Sequence, residues 1–495
     1  MKRHMMRAAT ALLAGALLLG SCSQSSGTSG SGAAAPYKVT MAIMITGALP
    51  DISLIQAAIN DRIRDKGLEL EILPLSYSAL TDQVNLMIAG GEKLDLIPRF
   101  SNQLITDVTQ GKLLPITQYL KTTGTDIARV VGADYLKAGT IGGEIYGIPS
   151  IRDMAASYGM CFRKDLLDKY GFKVEDIKTT ADVSRVYETV SKGEPGMYMT
   201  YSQGNFAGIV SQLLVEWDSL GDSYGVLMNH GQDAQLKVVN LYETPEYAQK
   251  LRIVRDWYQK GYVIPDAATN SQAGTVLVGA GQLFSFAANL KPGFDKQSTL
   301  GAGGVEMVTA TISPALSTTG QVAILSWSIP ITSKNPEKTV EFLSLMYTDP
   351  VIVNLLDWGI EGKHYAKLNG NVITYPAGVD ASNTGYNFNL AWTIGNSLLA
   401  YAWEGNDLDI NDQMQAFNRS AIISKALGFQ FDATPVRNAV TAVANVTAEY
   451  TLSLEFGMVD VDSTLPRFQR ALKDAGIDEI VAEKQRQLDA WLAGN

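Results

Sequence analysis

The 495-residue chain holds two cysteines and three histidines, and each scarcity closes off a class of protein. With only Cys22 and Cys161 there is no disulfide framework, so stability has to come from packing. No cluster of Cys and His is spaced for zinc, and neither a Walker phosphate loop nor a dinucleotide glycine fingerprint occurs. Positive charge is the minority sign, 40 Lys and Arg against 50 Asp and Glu for a net charge of −10. That balance argues against a nucleic-acid backbone as partner. The apolar run at residues 8–19 is shorter than the ~20 residues needed to cross a bilayer.

What the amino terminus does carry is an address. Lys2, Arg3 and Arg7 precede that apolar run, the pattern of a secretory signal. The order Leu19, Gly20, Ser21, Cys22 resembles the bacterial lipobox, which implies a signal peptide over residues 1–21 and a lipidated Cys22. Acyl chains add ~0.8 kcal/mol per buried methylene, so more than one gives a durable membrane anchor. Residues 22–36 are rich in Ser, Gly and Ala and read as a flexible tether. Cys161 is then a lone thiol, expected to be buried and apolar in behaviour.

Length beyond what one core supports predicts two lobes. The body opens with an α/β alternation: strand 38–45, helix 52–66, strand 68–74, helix 80–89 and strand 94–97. Such an order predicts parallel pairing, and ligands bind beyond the carboxyl ends of such strands. Loops 46–51 and 99–102 are therefore candidates, with Asp51, Arg99, Ser101 and Asn102 as their polar groups. A first crossing between lobes is expected within residues 142–171. Gly142, Gly143 and Gly147 allow backbone angles that other residues avoid, and Pro149 pushes Ile148 away from helical angles, so 145–150 reads as extended. A strand over 154–162 sorts large Tyr158, Met160 and Phe162 from small Ala155, Ser157, Gly159 and Cys161, and the small face suits a close helix.

Beyond it the pattern predicts a helix over 181–191, a polar aromatic run over 198–206, a helix over 209–220 and a strand over 236–241. Thr244 and Pro245 cap and start a helix to 260, and a strand over 280–289 ends at Asn289. A second crossing is expected over 321–330, and Asn335 with Pro336 then starts a helix over 337–347. From 434 onward the chain reads as largely helical.

Catalytic motifs are few. Residues 221–225, GDSYG, have the spacing of a nucleophile elbow, but a helical run precedes them where a strand is required. A carboxylate pair for glycoside hydrolysis stays open, because separations in space are invisible in sequence. Trp257 reads as core, whereas Trp327, Trp358 and Trp392 lie near turns beside polar groups, where a ring face can carry a sugar.

Several segments together resemble the bacterial extracellular solute-binding proteins of the maltose-binding type, the lipoprotein receptors of ABC importers. They are GGEIYGIPSIRD with FRKDLLDKYG, then SIPITSKNPEKTVEFLSLMYTDP with WGIEGKHY. The tail, GFQFDATPVRNAVTAVANV through LKDAGIDEIVAEKQRQLDAW, resembles the LipO-like subgroup. The resemblance implies an α/β, two-lobe periplasmic-binding-protein-like fold of type II, with hinge crossings and a helical C-terminal region. Lobe 1 would be residues 37–150 plus 326–370, and lobe 2 residues 151–325 plus 371–495. It implies a non-enzymatic receptor, without cofactor or metal, that delivers a carbohydrate, in all expectation an oligosaccharide, to ABC permease subunits. A surface glycoside hydrolase with Asp153 as one of two carboxylates is the rival. Asp153 with Arg152 would sit at the cleft, and Gln203, Asn205 and Phe206 would form a second-lobe ligand loop. Asn289, Glu361 and Asn396, near the strand end and the tryptophans, complete the candidate contacts. Arg99, where a small or aromatic residue is common, leaves room for an acidic sugar.

Overall fold

The computed structural model describes residues 35–204 and 206–494. Cys22, the signal and the tether to residue 34, together with Asn205, lie outside the described residues.

The opening alternation forms as its pattern demands. Strand Tyr37–Ile45 pairs in parallel with strand Leu68–Ser76, in register from Tyr37 opposite Leu68 to Ile45 opposite Ser76. Helix Ile52–Ile63 between them buries Ile55, Ile59 and Ile63, an i, i+4, i+8 stripe. Helix Leu80–Ala89 repeats the device with Leu80, Val84 and Ile88. A second, three-stranded sheet follows, with strand Leu325–Ser328 antiparallel to both Ile97–Phe100 and Ile148–Pro149.

The other lobe is built on an antiparallel sheet. Strand Ala156–Arg163 lies between Ser285–Leu290 and Met307–Ser317, and the short Ile422–Ile423 adds to the outer edge. Its small face is used as expected: Cys161 meets Ser298 of helix Phe294–Gly301, and burial pushes its thiol up to about 12. Gly159 is obligatory, because a Cβ there would lie 2.0 Å from the Ala310 carbonyl oxygen of the next strand. Three helices, Arg437–Glu455, Val461–Asp474 and Ile477–Gly494, finish the chain. The first two and the start of the third pack on this lobe, with Val443, Leu454, Phe468, Leu472 and Ile480 in its core.

Two large hydrophobic cores result. One gathers residues from 39–151, 325–356 and 386–394; the other draws on 160–310 and 439–480. Tyr386, Phe388, Leu390 and Ile394 thus belong to the first core, although everything after 370 is expected in the second lobe. The chain keeps to the first lobe longer than the sequence suggests, as far as Ile394, since the irregular stretch 376–400 has no periodicity to announce it. Elsewhere the caps read correctly, Thr244 Oγ1 accepting from Tyr247 N–H and Asn335 Oδ1 from Lys338 N–H. The helix expected over 209–220 stops at Leu213. The strand expected over 236–241 is a loop bridged at Val239 to Val226 and followed by the turn Leu241–Glu243.

The crossing falls inside the expected stretch 142–171. Gly142 and Gly143, at φ 59° and 82°, make the two-residue turn of a hairpin between Thr140–Ile141 and Glu144–Ile145. Ile148 and Pro149 are then buried in the first-lobe sheet, and the chain leaves that lobe over residues 150–155. There the backbone has almost no strand partners. Asn418 Nδ2 donates to Arg152 O (2.6 Å), and Met154 N–H donates to Asn418 Oδ1 (2.8 Å). Gln321 Nε2 donates to Asp153 O (2.9 Å) and Ser317 Oγ to Met154 O (2.9 Å). Ile151 N–H donates to Gly395 O (2.7 Å), and Ser397 N–H donates back to Ile151 O.

The first-lobe anchor of this crossing is Tyr347, fully buried, whose hydroxyl lies 3.0 and 2.9 Å from the Ile148 and Pro149 carbonyl oxygens. Tyr347→Phe removes that donor from a dry site, so we expect a loss of about 1–2 kcal/mol in urea unfolding; an unchanged midpoint would show that the anchor is idle.

Candidate binding cleft

A chamber of about 790 Å³ opens between the lobes. Its first-lobe wall comes from two strand ends. Tyr77 and Ser78 follow strand Leu68–Ser76, and Phe100 to Gln103 join strand Ile97–Phe100 to helix Ser101–Thr109. The opposite wall carries Tyr158, Ser211, Trp217 and Ser223. The floor is the crossing itself, Thr318, Gly320, Gln321 and Ile324.

The chemistry of this lining is specific. Tyr77 and Phe100 meet edge to face, 6.1 Å between centroids at 77°, and Tyr158 and Trp217 supply two more rings. Amides and hydroxyls fill the spaces between. Gln103 Nε2 donates to Thr81 Oγ1 (2.8 Å), and Gln103 Oε1 accepts from Phe100 N–H (3.3 Å). Among the described residues that line the chamber there is no Asp, Glu, Lys, Arg or His.

Carboxyl groups lie behind the walls and hold them. Glu455, at the end of helix Arg437–Glu455, accepts from both Ser211 N–H (3.2 Å) and Ser211 Oγ (2.6 Å) through Oε2, and from Tyr247 Oη (3.0 Å) through Oε1. Burial raises its pKa against the opposing pull of those hydrogen bonds. Asp218, behind Trp217, accepts from Leu220 N–H (2.9 Å) and is raised by burial as well.

Of the residues expected to touch ligand, Ser101 and Asn102 line the chamber. Arg99 does not: it is buried, with Nε 2.7 Å from Asp107 Oδ2, so the cation invoked for an acidic sugar is spent inside the lobe. Arg152 and Asp153 pair with each other, Asp153 also meets Lys291 Nζ at 3.2 Å, and Arg152 lies 5.7 Å from the Trp392 ring. Asp51 pairs with His364 Nε2 and Lys363 Nζ, both at 3.1 Å, and the His364 contact leads in lowering its pKa. Glu361 pairs with Lys367 at 3.0 Å.

The three singled-out tryptophans also serve the fold. Trp327 Nε1 donates to Thr393 O (2.8 Å) from a buried strand. Trp358 donates to Tyr401 O (3.1 Å) and packs on Trp403. Asn396 donates to Tyr347 O and accepts from Leu398 N–H. In the second lobe, Gln203 N–H donates to Gln212 Oε1 (3.0 Å), Phe206 is 72% exposed, and Asn289 pairs across the sheet with Tyr158. None of these is among the residues lining the chamber.

The rings that do line it had partial signals. Tyr77 follows the second strand, where the carboxyl-end rule applies as well as it does after the first and third. Tyr158 is on the large face of its strand. Trp217 falls in the stretch expected to be helical, but the helix ends at Leu213 and leaves it in an irregular loop.

A two-lobed α/β body whose crossings floor a deep, uncharged cleft is the architecture of a solute receptor. A family model described as bacterial extracellular solute-binding protein matches residues 57–359, and a Domain of unknown function (DUF3502) matches residues 425–493. The chain belongs to the bacterial extracellular solute-binding proteins and so works outside the cytoplasm. A carbohydrate ABC transporter substrate-binding protein of Streptococcus pneumoniae serotype 4 is 25% identical over 512 residues, spanning 98% of this chain and 97% of the relative. The crystal structure of the N-glycan transport solute binding protein NgtS from Streptococcus pneumoniae superposes with a TM-score of 0.78 at 24% identity, over 92% of this chain and 99% of that one. The same protein in complex with Man5GlcNAc gives 0.65 at 24% identity, over 93% and 99%.

Because folded Glu455 holds its proton more tightly than the unfolded chain does, its contribution is present below the ordinary glutamate range and is lost as pH rises through the raised pKa. Glu455→Gln cannot titrate. We expect the variant's thermal midpoint to gain on the unaltered protein as pH rises from about 4 towards 7; a constant difference would show that Glu455 is not held protonated.

Proposed function

We propose that the chain captures a neutral oligosaccharide between its lobes and hands it to the permease subunits of an ABC importer. The observation that carries this reading is the uncharged cleft: four aromatic rings interleaved with amides and hydroxyls. Ring faces stack on the apolar faces of pyranoses, and amides with hydroxyls satisfy sugar hydroxyls, which bury well only when hydrogen-bonded. An amino acid or peptide would need partners for its charged ends, and an acidic sugar would need a cation; the lining supplies neither. The structurally similar NgtS, seen in complex with Man1GlcNAc and with Man5GlcNAc, supports the same class. The hydrolase reading needs two carboxylates flanking the scissile bond. No described lining residue is a carboxylate, and Asp153 is engaged by Arg152 and Lys291.

Binding closes the cleft through contacts with both walls, since only differential affinity for the closed arrangement can shift its population. Asn102 and Gln103 offer the first-lobe contacts, Tyr158 and Trp217 those of the second. The lipobox-like order ahead of Cys22 supports attachment of the receptor to the membrane through a diacylglyceryl thioether at that residue. Radiolabelled palmitate should enter the unaltered protein and not Cys22→Ala; equal labelling would remove the anchor.

A thermal-shift panel of neutral oligosaccharides, uronate oligosaccharides and peptides tests the ligand class, and stabilisation by peptides alone would sink the carbohydrate reading. Tyr77 is 57% exposed, so Tyr77→Ala spares the core. We expect it to weaken glycan binding by about tenfold, the effect of losing one interface aromatic, with the melting temperature of the free protein unchanged.

A further inference from the structure

The chamber does not end at Asn102. A second cavity of about 240 Å³ continues from it and shares Ser101, Asn102, Gly221 and Gly320 with the first. Its far wall comes from a part of the chain to which no role is attached: Phe431 lies within residues 425–493, the domain of unknown function. Facing Phe431 is the loop that carries Asp222, and on the first lobe Thr106 of helix Ser101–Thr109 closes the side.

This wall is built rather than incidental. Lys484, on the last helix and fully buried, places Nζ 2.6 Å from Asp222 Oδ1, 3.0 Å from Gly225 O and 4.9 Å from the Phe431 ring centroid. One ammonium therefore fixes both sides of the cavity and neutralises the one carboxylate among its described lining residues. The loop is also held in an uncommon backbone state, with Leu220 at φ 50° and its N–H bound by Asp218. A branched residue in the left-handed region persists only where its surroundings over-determine it, and such positions gather at ligand clamps.

We propose that this cavity is a distal subsite for the far units of a long neutral glycan, with Phe431 as its platform and Lys484 as the positioning residue that joins the C-terminal region to the cleft. The inference rests on the carbohydrate reading above. A glycan that reaches the subsite touches helix Ser101–Thr109 of one lobe and the C-terminal region on the other, so chain length adds contacts that favour closure. A short glycan fills the chamber alone.

Calorimetric titration with Man1GlcNAc and Man5GlcNAc separates the cases, using the full chain, Phe431→Ala and Thr106→Trp. The second variant fills the cavity from a half-exposed helix position and so guards against misfolding of the first. We expect each variant to bind Man5GlcNAc about tenfold more weakly, near 1.4 kcal/mol, with affinity for Man1GlcNAc within about twofold of the unaltered protein. Equal losses for both glycans, or no loss for either, would overturn the subsite and leave the carbohydrate reading standing. Failure of the unaltered protein to bind either glycan would overturn the subsite as stated, and the thermal-shift panel alone decides the carbohydrate reading.

Discussion

The structure depends on how residues 150–155 are held. This stretch leaves one sheet and enters another, and between them it has almost no neighbouring strand to take its peptide groups. A buried amide left unpaired costs on the order of 1–3 kcal/mol, so the segment needs side chains as partners. Asn418, Gln321 and Ser317 supply them, from the two other passages between the lobes. Three crossings are thereby tied into one joint. The joint is also the floor of the cleft, because Gln321 bonds to the crossing backbone and lines the chamber.

That economy explains the distribution of charge. Carboxylates and cations near the cleft are turned inwards: Arg99 to Asp107, Asp153 to Arg152 and Lys291, Lys484 to Asp222. Paired in this way they stiffen the walls while the chamber presents rings, amides and hydroxyls. Removing one partner of such a buried pair is costly, which makes the pairs good positioning devices whatever their net contribution to stability. The C-terminal helices take part through Glu455 and Lys484, the first reaching the short helix that carries Ser211 and the second the loop that carries Asp222.

Much of the fold was legible in the chain order. The Ile55, Ile59, Ile63 stripe and the Thr244 and Asn335 caps each rest on interactions within a few residues, so local pattern is enough to find them. The site was legible in part. Ser101 and Asn102 follow from the strand-end rule, and Tyr77 follows from it equally. Arg99, two residues before Ser101, does not, because alternation along the strand turns it under helix Ser101–Thr109. Asp153 and the tryptophans were placed by resemblance and by proximity to turns, neither of which says which way a side chain points.

The sequence by itself determined the α/β start, the caps, the helical tail and the segments that resemble the family, since all of these are written in short-range spacing. Tertiary structure alone decided that residues 386–394 join the first core and that the last helix braces the cleft. The reason is range. Asn418 and Arg152 are 266 residues apart and Lys484 and Asp222 are 262 apart. No local period links such positions; they become neighbours only when the chain, having crossed between its lobes, closes the space between them.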